Sequence, residues 1–276
     1  SWVLPWLLTH ASRPDRQFLV DQIIAVALKS RGYNNYRSHE ESGEAHLVST
    51  LRTIGALGTC IDVGANQGSF SEVMLATGAE QIVALEPHPA HRSLLNELAI
   101  RFPGRITVVE AAVGNASGWA NLLFSESALS HASLAEEVNQ ISYVRNRDVV
   151  RVRVTTLDDV IRELRLSSID FLKIDTEGFE EEALSGAKKL LNTAPPKAVL
   201  LEFNQHQLVR GHSLLSLSRH LPGYQCFQLL RGDSGVRAAE PHTPEANIFH
   251  YSNFVYVRDD IAESFLAESN SPSRRN

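Results

Sequence analysis

The sequence predicts an α/β fold in which a mainly parallel β-sheet is covered by helices on both faces and is preceded by N-terminal helices. From residue 59 onward, short apolar runs alternate with amphipathic segments, which is typical of a repeated strand–helix unit. The apolar runs are continuous rather than alternating, as expected for strands buried on both sides. The chain has 276 residues, of which 43% are hydrophobic, so it is long and apolar enough to form such a core.

The N-terminal segment is predicted to be helical. Residues 16–29 place apolar side chains at helical spacing, and a second helix is expected over 40–54.

Because a helix separates successive strands of the sheet, those strands are expected to be parallel. The predicted strands are 60–63, 81–86, 106–113, 169–175 and 198–203, and the predicted helices are 68–77, 89–101, 157–165, 179–191 and 211–221.

Two regions interrupt the alternation. Residues 117–155 contain two strand-like runs around a polar stretch, which indicates a β insertion between the third and fourth strands. The late runs 224–230 and 253–257 have no helix between them, so we expect an antiparallel pair at one side of the sheet. The chain is therefore divided into an N-terminal helical arm (1–54), a main domain (55–260) and a flexible tail (261–276).

Charge and cysteine content argue against several classes of protein. The chain carries 26 Lys and Arg against 32 Asp and Glu, and this net charge of −6 argues against a nucleic-acid partner. Its two cysteines cannot form a disulfide framework or a four-cysteine zinc site, which favours a reducing, cytoplasmic compartment. Since no run of about 18 apolar residues occurs, no membrane span is expected. The oligomeric state is not predicted.

A glycine-containing turn follows the first strand, in Ile61-Asp-Val-Gly-Ala-Asn-Gln-Gly-Ser-Phe70. Gly64 and Gly68 permit a tight turn, and the helix that follows offers free N–H groups at the edge where ligands bind in open α/β sheets. Asn66 stands where a dinucleotide fingerprint has its second glycine, so the turn does not fit a pyrophosphate. Asp62, just before the turn, suits an amine-bearing ligand.

An acidic residue ends the second strand. Glu86 follows the first turn by about 20 residues, the spacing at which an acid accepts hydrogen bonds from ribose hydroxyls in this topology. Taken with Asp62 and the glycine turn, Glu86 is interpreted as a binding residue rather than as an acid that is merely solvated at a strand end.

These motifs, and others further along the chain, together resemble the FkbM family of methyltransferases, which use S-adenosylmethionine (SAM). They are Asp62-Val-Gly-Ala-Asn-Gln-Gly68, Leu85-Glu-Pro87, Ala112-Val-Gly114, Leu172-Lys-Ile-Asp-Thr-Glu-Gly-Phe-Glu180 and Leu201-Glu-Phe203, in that order. The resemblance covers roughly residues 55–258. It implies a Rossmann-like class I methyltransferase fold, with a seven-stranded sheet whose last strand is antiparallel.

The resemblance also implies which residues contact the cofactor. The methionine portion would lie against the first turn, the ribose against the second strand end, and the adenine against the end of the third strand. The residues implied for the methionine portion are Asp62, Gly64, Asn66, Gly68, Ser69 and Phe70. Glu86 and Pro87 are implied for the ribose, and Ala112 and Val113 for the adenine. Asp175 is a further candidate, because a carboxylate near a sulfonium attracts it.

Acidic residues follow the fourth and fifth strands, whose ends converge on the same opening. Removal of a proton from an alcohol is helped by a general base, and Asp175, Glu177 and His206 are the candidates. Asp175, Glu177 and Glu202 could instead bind a hard cation such as Mg²⁺. Residues 180–182 are interpreted as acids that stabilise a helix N-terminus.

The expected function is therefore a SAM-dependent O-methyltransferase that acts on a hydroxyl of a sugar, glycan or natural product. The insertion 117–155 and the loop 231–250 are expected to shape the acceptor pocket, because loops on a rigid scaffold usually carry specificity. Trp119, His131 and Tyr143 are candidates for contacts with a sugar. The alternatives are an NAD-dependent oxidoreductase and a SAM-binding module without catalysis.

Overall fold

The computed structural model describes Pro5 and residues 9–271. Its α-helices are α1 (Gln17–Ser30), α2 (Glu44–Thr53), α3 (Ser69–Thr77), α4 (Arg92–Arg101), α5 (Leu157–Leu164), α6 (Glu180–Ser185), α7 (Lys188–Thr193), α8 (Gln205–Arg210), α9 (Leu214–Ser218) and α10 (Asp259–Ser269). Its strands are β1 (Thr59–Val63), β2 (Gln81–Leu85), β3 (Ile106–Val109), β4 (Ala112–Val113), β5 (Gly118–Phe124), β6 (Asp148–Thr155), β7 (Phe171–Ile174), β8 (Ala198–Phe203), β9 (Tyr224–Leu229), β10 (Val236–Ala238) and β11 (Ser252–Arg258).

The large sheet has the order β10-β9-β11-β8-β7-β1-β2-β3. The five strands from β8 to β3 are mutually parallel, and β11 pairs antiparallel with both β8 and β9. The Rossmann-like, mainly parallel fold with an antiparallel last strand is therefore confirmed. The short edge strand β10 pairs with β9 and makes eight strands, where seven were expected.

Two predicted elements are divided in the structure, and a third is shortened. The run 106–113 forms β3 and then β4, which leaves the large sheet and pairs with β6. The predicted helix 179–191 is interrupted at Gly186, where a side chain would overlap the carbonyl oxygen of Gly114. The helix expected over 211–221 is shorter in the structure, where it is α9, and α8 precedes it over residues that were not predicted to be helical.

The β insertion at 117–155 forms a second sheet of order β4-β6-β5, in which β5 and β6 are antiparallel. The segment between these two strands crosses the carboxyl end of the large sheet, and an isolated bridge joins Leu123 to Ser133. The hydroxyl of Ser133 donates to the carbonyl oxygen of Glu177, which fixes the insertion to the loop after β7.

Helices cover both faces of the large sheet. The core on one face includes Cys60 and side chains of α2, α3, α4 and α10. The core on the other face includes Cys226 and side chains of α5, α6, α7 and α9. Both cysteines are free and buried. Burial raises the pKa of both thiols above the ordinary value, that of Cys226 to about 12.

The two ends of the chain differ from the expected division. Helix α2 packs into the core of the main domain, whereas α1 buries none of its side chains, and Phe18 and Ile23 are 70% and 69% exposed. The prediction of a flexible tail over 261–276 is wrong for residues 261–269. These residues belong to α10, which is held to the main domain because Phe265 is buried in the core. Residues 1–4, 6–8 and 272–276 of the expected arm and tail lie outside the described residues. Within the described part of the chain, no helix combines the length and apolar character that crossing a membrane requires.

Candidate active site

The turn between β1 and α3 lies directly against the end of β7. Gly64 has a φ of +76°, and a side chain there would overlap the carbonyl oxygen of Asp175. Only glycine therefore lets the two strand ends approach so closely. Gly68 also has a positive φ, +85°, and a side chain there would meet Leu95 and Leu98 of α4.

Glu86 is held rigidly at the end of β2. Its Oε2 accepts a hydrogen bond from the backbone N–H of Asn66 at 2.8 Å, and its Oε1 accepts one from the N–H of His88 at 2.7 Å. The ring of His91 lies 3.4 Å from Oε1. The side chain is 9% exposed, so its carboxylate is nearly buried yet keeps lone pairs for a ligand.

A cavity of about 510 Å³ opens at these strand ends. Nine of the predicted cofactor residues line this first cavity: Gly64, Asn66, Ser69, Phe70, Glu86, Pro87, Ala112, Val113 and Asp175. The structure thus brings together predicted residues that follow β1, β2 and β7 with those of β4. Asp62 and Gly68 do not line the cavity.

Asp62 faces the protein interior. It is fully buried, its Oδ2 accepts a hydrogen bond from Ser71 Oγ at 2.6 Å, and its Oδ1 lies 3.5 Å from Lys173 Nζ. The cavity is lined instead by Lys173, whose Nζ is 3.0 Å from Asp175 Oδ2. Asp62 therefore reaches the cavity only through Lys173.

The charges around Lys173 set its protonation state. Burial lowers the pKa of Lys173, but the carboxylates of Asp175, Asp62 and Glu44 outweigh that effect and hold the pKa above its ordinary value. Burial raises the pKa of Asp175 to about 6; attraction to Lys173 opposes this rise and repulsion from Glu177 adds to it. The cavity thus contains one ammonium group beside a carboxylate that ionises near neutrality.

Residues from the N-terminal segment complete the first cavity, although none of them was among the predicted site residues. They are Tyr36, Arg37, Ser38, His39, Glu40 and Glu44. His39 Nδ1 is 2.7 Å from Glu44 Oε2, and its Nε2 is 3.1 Å from Ser69 Oγ, so this segment closes over the start of α3. No motif marks these residues, whereas a lysine inside the buried run of β7 was a readable signal for Lys173.

A second cavity of about 520 Å³ adjoins the first. The two cavities share Tyr36, Ser130, Glu177 and Tyr251 as lining residues. The second cavity also contains residues of the insertion, of the end of β8 and of the loop before β11: His131, Tyr143, Glu202, Asn204, Gln205, His206, Phe249 and His250, with Asn34 from the N-terminal segment.

Of the three predicted sugar contacts, two line the second cavity. His131 and Tyr143 form a T-shaped pair with ring centroids 5.5 Å apart. Trp119 does not contribute, since it is 64% exposed and stacks with Arg151 on the outside of the small sheet.

The acids after β7 and β8 fall into two groups. Glu180 is used structurally: it accepts hydrogen bonds from the N–H groups of Thr176 and Gly178 and from Gln207 Nε2. Glu177 and Glu202 instead face the second cavity with His206, and Glu177 Oε2 is 3.0 Å from His206 Nδ1. One potential ligand atom from each of these three residues lies within 4.8 Å of the other two. The cluster therefore contains His206 where the sequence analysis had suggested Asp175.

The loop that carries Glu177 has an unusual backbone. Glu177 has a φ of +56° and Gly178 one of +101°. A left-handed glutamate is uncommon and costs about 1 kcal/mol or more. This conformation places the Glu177 side chain at the wall between the two cavities.

Comparison with known proteins gives a family match. Residues 62–220, more than half of the chain, match the family model described as the methyltransferase FkbM domain. Two curated relatives are the ribosomal RNA small subunit methyltransferases A of Methylobacterium radiotolerans (40% identical over 53 residues) and Sinorhizobium fredii (41% over 61 residues). These segments cover 19% and 21% of this chain, and they span only 18% and 21% of the respective relatives.

Solved structures of methyltransferases are also similar to the chain. The methyltransferase FkbM of Methylobacillus flagellatus KT is 17% identical, with 73% of this chain and 44% of that chain covered and a TM-score of 0.46. The O-methyltransferase from Bacillus cereus, in complex with SAH (S-adenosylhomocysteine), is 12% identical, with 94% and 98% covered and a TM-score of 0.43.

Proposed function

Because the chain belongs to the FkbM methyltransferase domain family, we propose that it is a SAM-dependent O-methyltransferase that transfers a methyl group to a hydroxyl of a sugar, glycan or natural product. One observation carries this proposal. The first cavity contains the rigid carboxylate of Glu86, and the second has aromatic and polar walls. The two cavities adjoin and share lining residues, among them Glu177. Two substrates could therefore meet at this wall.

The residues of the first cavity fit SAM. The cavity volume of about 510 Å³ falls in the range typical of ligand pockets, about 300–1,000 Å³. Glu86 would accept the ribose hydroxyls, and the apolar Ala112 and Val113 would contact the adenine. Lys173 and Asp175 would hold the carboxylate and the amine of the methionine portion. When bound, SAM supplies an electrophilic methyl group on a sulfonium.

The remaining task of this chain is to position and deprotonate the acceptor. Glu177 and His206 line the second cavity and are 3.0 Å apart, so a hydroxyl there has an adjacent proton acceptor. Burial lowers the pKa of His206, but its contact with Glu177 and the nearby carboxylates reverse this and raise it above the ordinary value. Asp175 lines only the first cavity, which favours a role beside the cofactor.

The walls of the second cavity support a sugar-like or polyhydroxylated acceptor. The rings of His131 and Tyr143 can pack against the C–H face of a sugar ring. Asn34, Asn204 and His250 offer donors and acceptors for hydroxyl groups.

The proposal is tested in two steps. Isothermal titration should detect SAH binding and no NAD binding; binding of NAD alone would instead indicate an oxidoreductase. Methyl-labelled SAM is then offered with sugars, glycans, polyhydroxylated natural products and a small-subunit rRNA fragment. Label in a methyl ether of the first three classes is the expected result. Label only in RNA would overturn the acceptor class, and SAH binding without any transfer would indicate a non-catalytic module.

A further inference from the structure

The geometry points to a divalent transition-metal site formed by Glu177, Glu202 and His206, with its open coordination positions facing the second cavity. One ligand atom from each residue lies within 4.8 Å of the others, a spacing that a single ion can bridge. The three come from the loop after β7, from the end of β8 and from α8. The metal would bind the acceptor hydroxyl. The role of the metal in the reaction therefore rests on the proposed function, whereas binding of the metal to the three residues does not.

The state of His206 is the second observation. Its side chain is buried, with the residue 2% exposed, and its Nε2 has no hydrogen-bond partner in the described part of the chain. Its Nδ1 faces the carboxylate of Glu177. Nδ1 also makes no hydrogen bond among the residues that the structure describes, and one ring nitrogen lies within 4.8 Å of a carboxylate oxygen of both Glu177 and Glu202. Such a buried imidazole is a good metal ligand, since neutral imidazole donates a lone pair to the ion.

The charges of the cluster also favour a cation. The ligand atoms of Glu177 and Glu202 lie within 4.8 Å of each other. The nearby ammonium of Lys173 is already held by Asp175, at 3.0 Å, and by Asp62, at 3.5 Å. A bound divalent ion would offset the repulsion between the carboxylates of Glu177 and Glu202 directly.

The ligand set indicates which metal would bind. One imidazole nitrogen and two carboxylates suit Mn²⁺ or Zn²⁺, whereas Mg²⁺ prefers oxygen ligands alone. The all-carboxylate Mg²⁺ set suggested by the sequence is therefore not the one that this geometry favours. Since all three ligands line the second cavity, an acceptor hydroxyl could bind the same ion, and this would lower the pKa of the hydroxyl.

The orientation of Glu202 supports the arrangement. Asn204 Nδ2 donates a hydrogen bond to Glu202 Oε1, and Asn204 Oδ1 accepts one from the N–H of His206 at 2.6 Å. One residue thus orients both a carboxylate ligand and the backbone of the histidine ligand. Such supporting contacts are typical of metal sites.

The test measures metal binding to the full chain. The protein is first treated with a chelator, and the chelator is then removed. Mn²⁺ alone is titrated by electron paramagnetic resonance, and Zn²⁺ alone by calorimetry. The expected result is one site per chain, with affinity reduced at least about tenfold in Glu202→Gln and in His206→Gln. The absence of saturable Mn²⁺ or Zn²⁺ binding to the wild-type protein would overturn the inference.

The chain offers a matched control. Glu181 and His220 form another Glu–His pair, 2.6 Å apart and away from both cavities. Glu181→Gln and His220→Gln should leave metal affinity unchanged, and an equal loss in these variants would also overturn the inference. SAH affinity is measured for every variant, so a misfolded protein is recognised. Metal binding without methyl transfer would contradict the proposed function but not the metal site.

Discussion

The two adjoining cavities are built in different ways. The first takes many of its lining residues from short motifs at the ends of β1, β2 and β7, and one of them, the carboxylate of Glu86, is fixed by backbone N–H groups. The second joins segments that are far apart in the chain, such as Asn34 and His250, which are 216 positions apart and in contact. Local motifs therefore contribute much of the first cavity, whereas tertiary packing completes it and assembles the second.

The largest effect is expected where the backbone itself forms the first cavity. Gly64→Ala should destabilise the protein by at least about 3 kcal/mol, because a methyl group there overlaps Asp175 and the backbone is left-handed. Gly104→Ala is the control: its φ is +75°, but no atom lies within 4 Å of an added Cβ, so about 1 kcal/mol is expected. Chemical denaturation measures both, and equal losses would show that the contact with β7 is unimportant.

A second prediction concerns the charges beneath the first cavity. Lys173→Met should cost about 3 kcal/mol of unfolding free energy, since it leaves the buried carboxylate of Asp62 and that of Asp175 without their cation. The double variant Lys173→Met/Asp62→Asn should recover part of this loss. If the double variant is as unstable as the sum of the single ones, the two residues are not coupled.

Binding to the first cavity should depend on Glu86. We expect Glu86→Ala to weaken SAH binding by about tenfold or more, or 1.4 kcal/mol, because the acceptor for the ribose hydroxyls is lost. The exposed Glu110, which pairs with Arg92, provides a control, since Glu110→Ala should not change SAH affinity. Calorimetry distinguishes the two, and an unchanged affinity in Glu86→Ala would remove the ribose assignment.

The second cavity can be tested separately with aromatic substitutions. Tyr143→Ala should raise the KM for the acceptor by about tenfold and leave SAH affinity unchanged, because Tyr143 lines only the second cavity. Trp119→Ala, outside both cavities, should change neither quantity. A change in SAH affinity in Tyr143→Ala would mean that the two cavities are not independent.

The smallest effect is a pH dependence of the segment that covers the first cavity. The hydrogen bond to Glu44 raises the pKa of His39, although partial burial acts to lower it. Burial acts to raise the pKa of Glu44, but the contact with His39 outweighs this and lowers it. The His39 contribution to stability is therefore present below about pH 6.5 and is lost as pH rises through the raised pKa. Unfolding free energies of the wild type should decline over that range, and His39→Gln should show a flatter profile.

The fold was largely predictable because buried parallel strands give continuous apolar runs. The edge strand β10 was missed since its three residues lie in a Gly- and Pro-rich loop and carry no recognisable pattern. The role of Asp62 was not readable from the motif alone: β1 and β7 are parallel, with Asp62 opposite Lys173, so the two charges meet inside the sheet. Nine of the predicted cofactor residues line the first cavity, whereas His39 and Tyr251 reach it through contacts that no local pattern specifies.

The two cysteines can serve as separate reporters of unfolding. Cys60 belongs to the core on one face of the large sheet and Cys226 to the core on the other, and both thiols are buried with a raised pKa. An alkylating reagent reacts with the thiolate, so each sulfur becomes reactive only when its own layer opens. Timed labelling followed by mass spectrometry would therefore measure how tightly each layer is closed, without adding any probe to the chain.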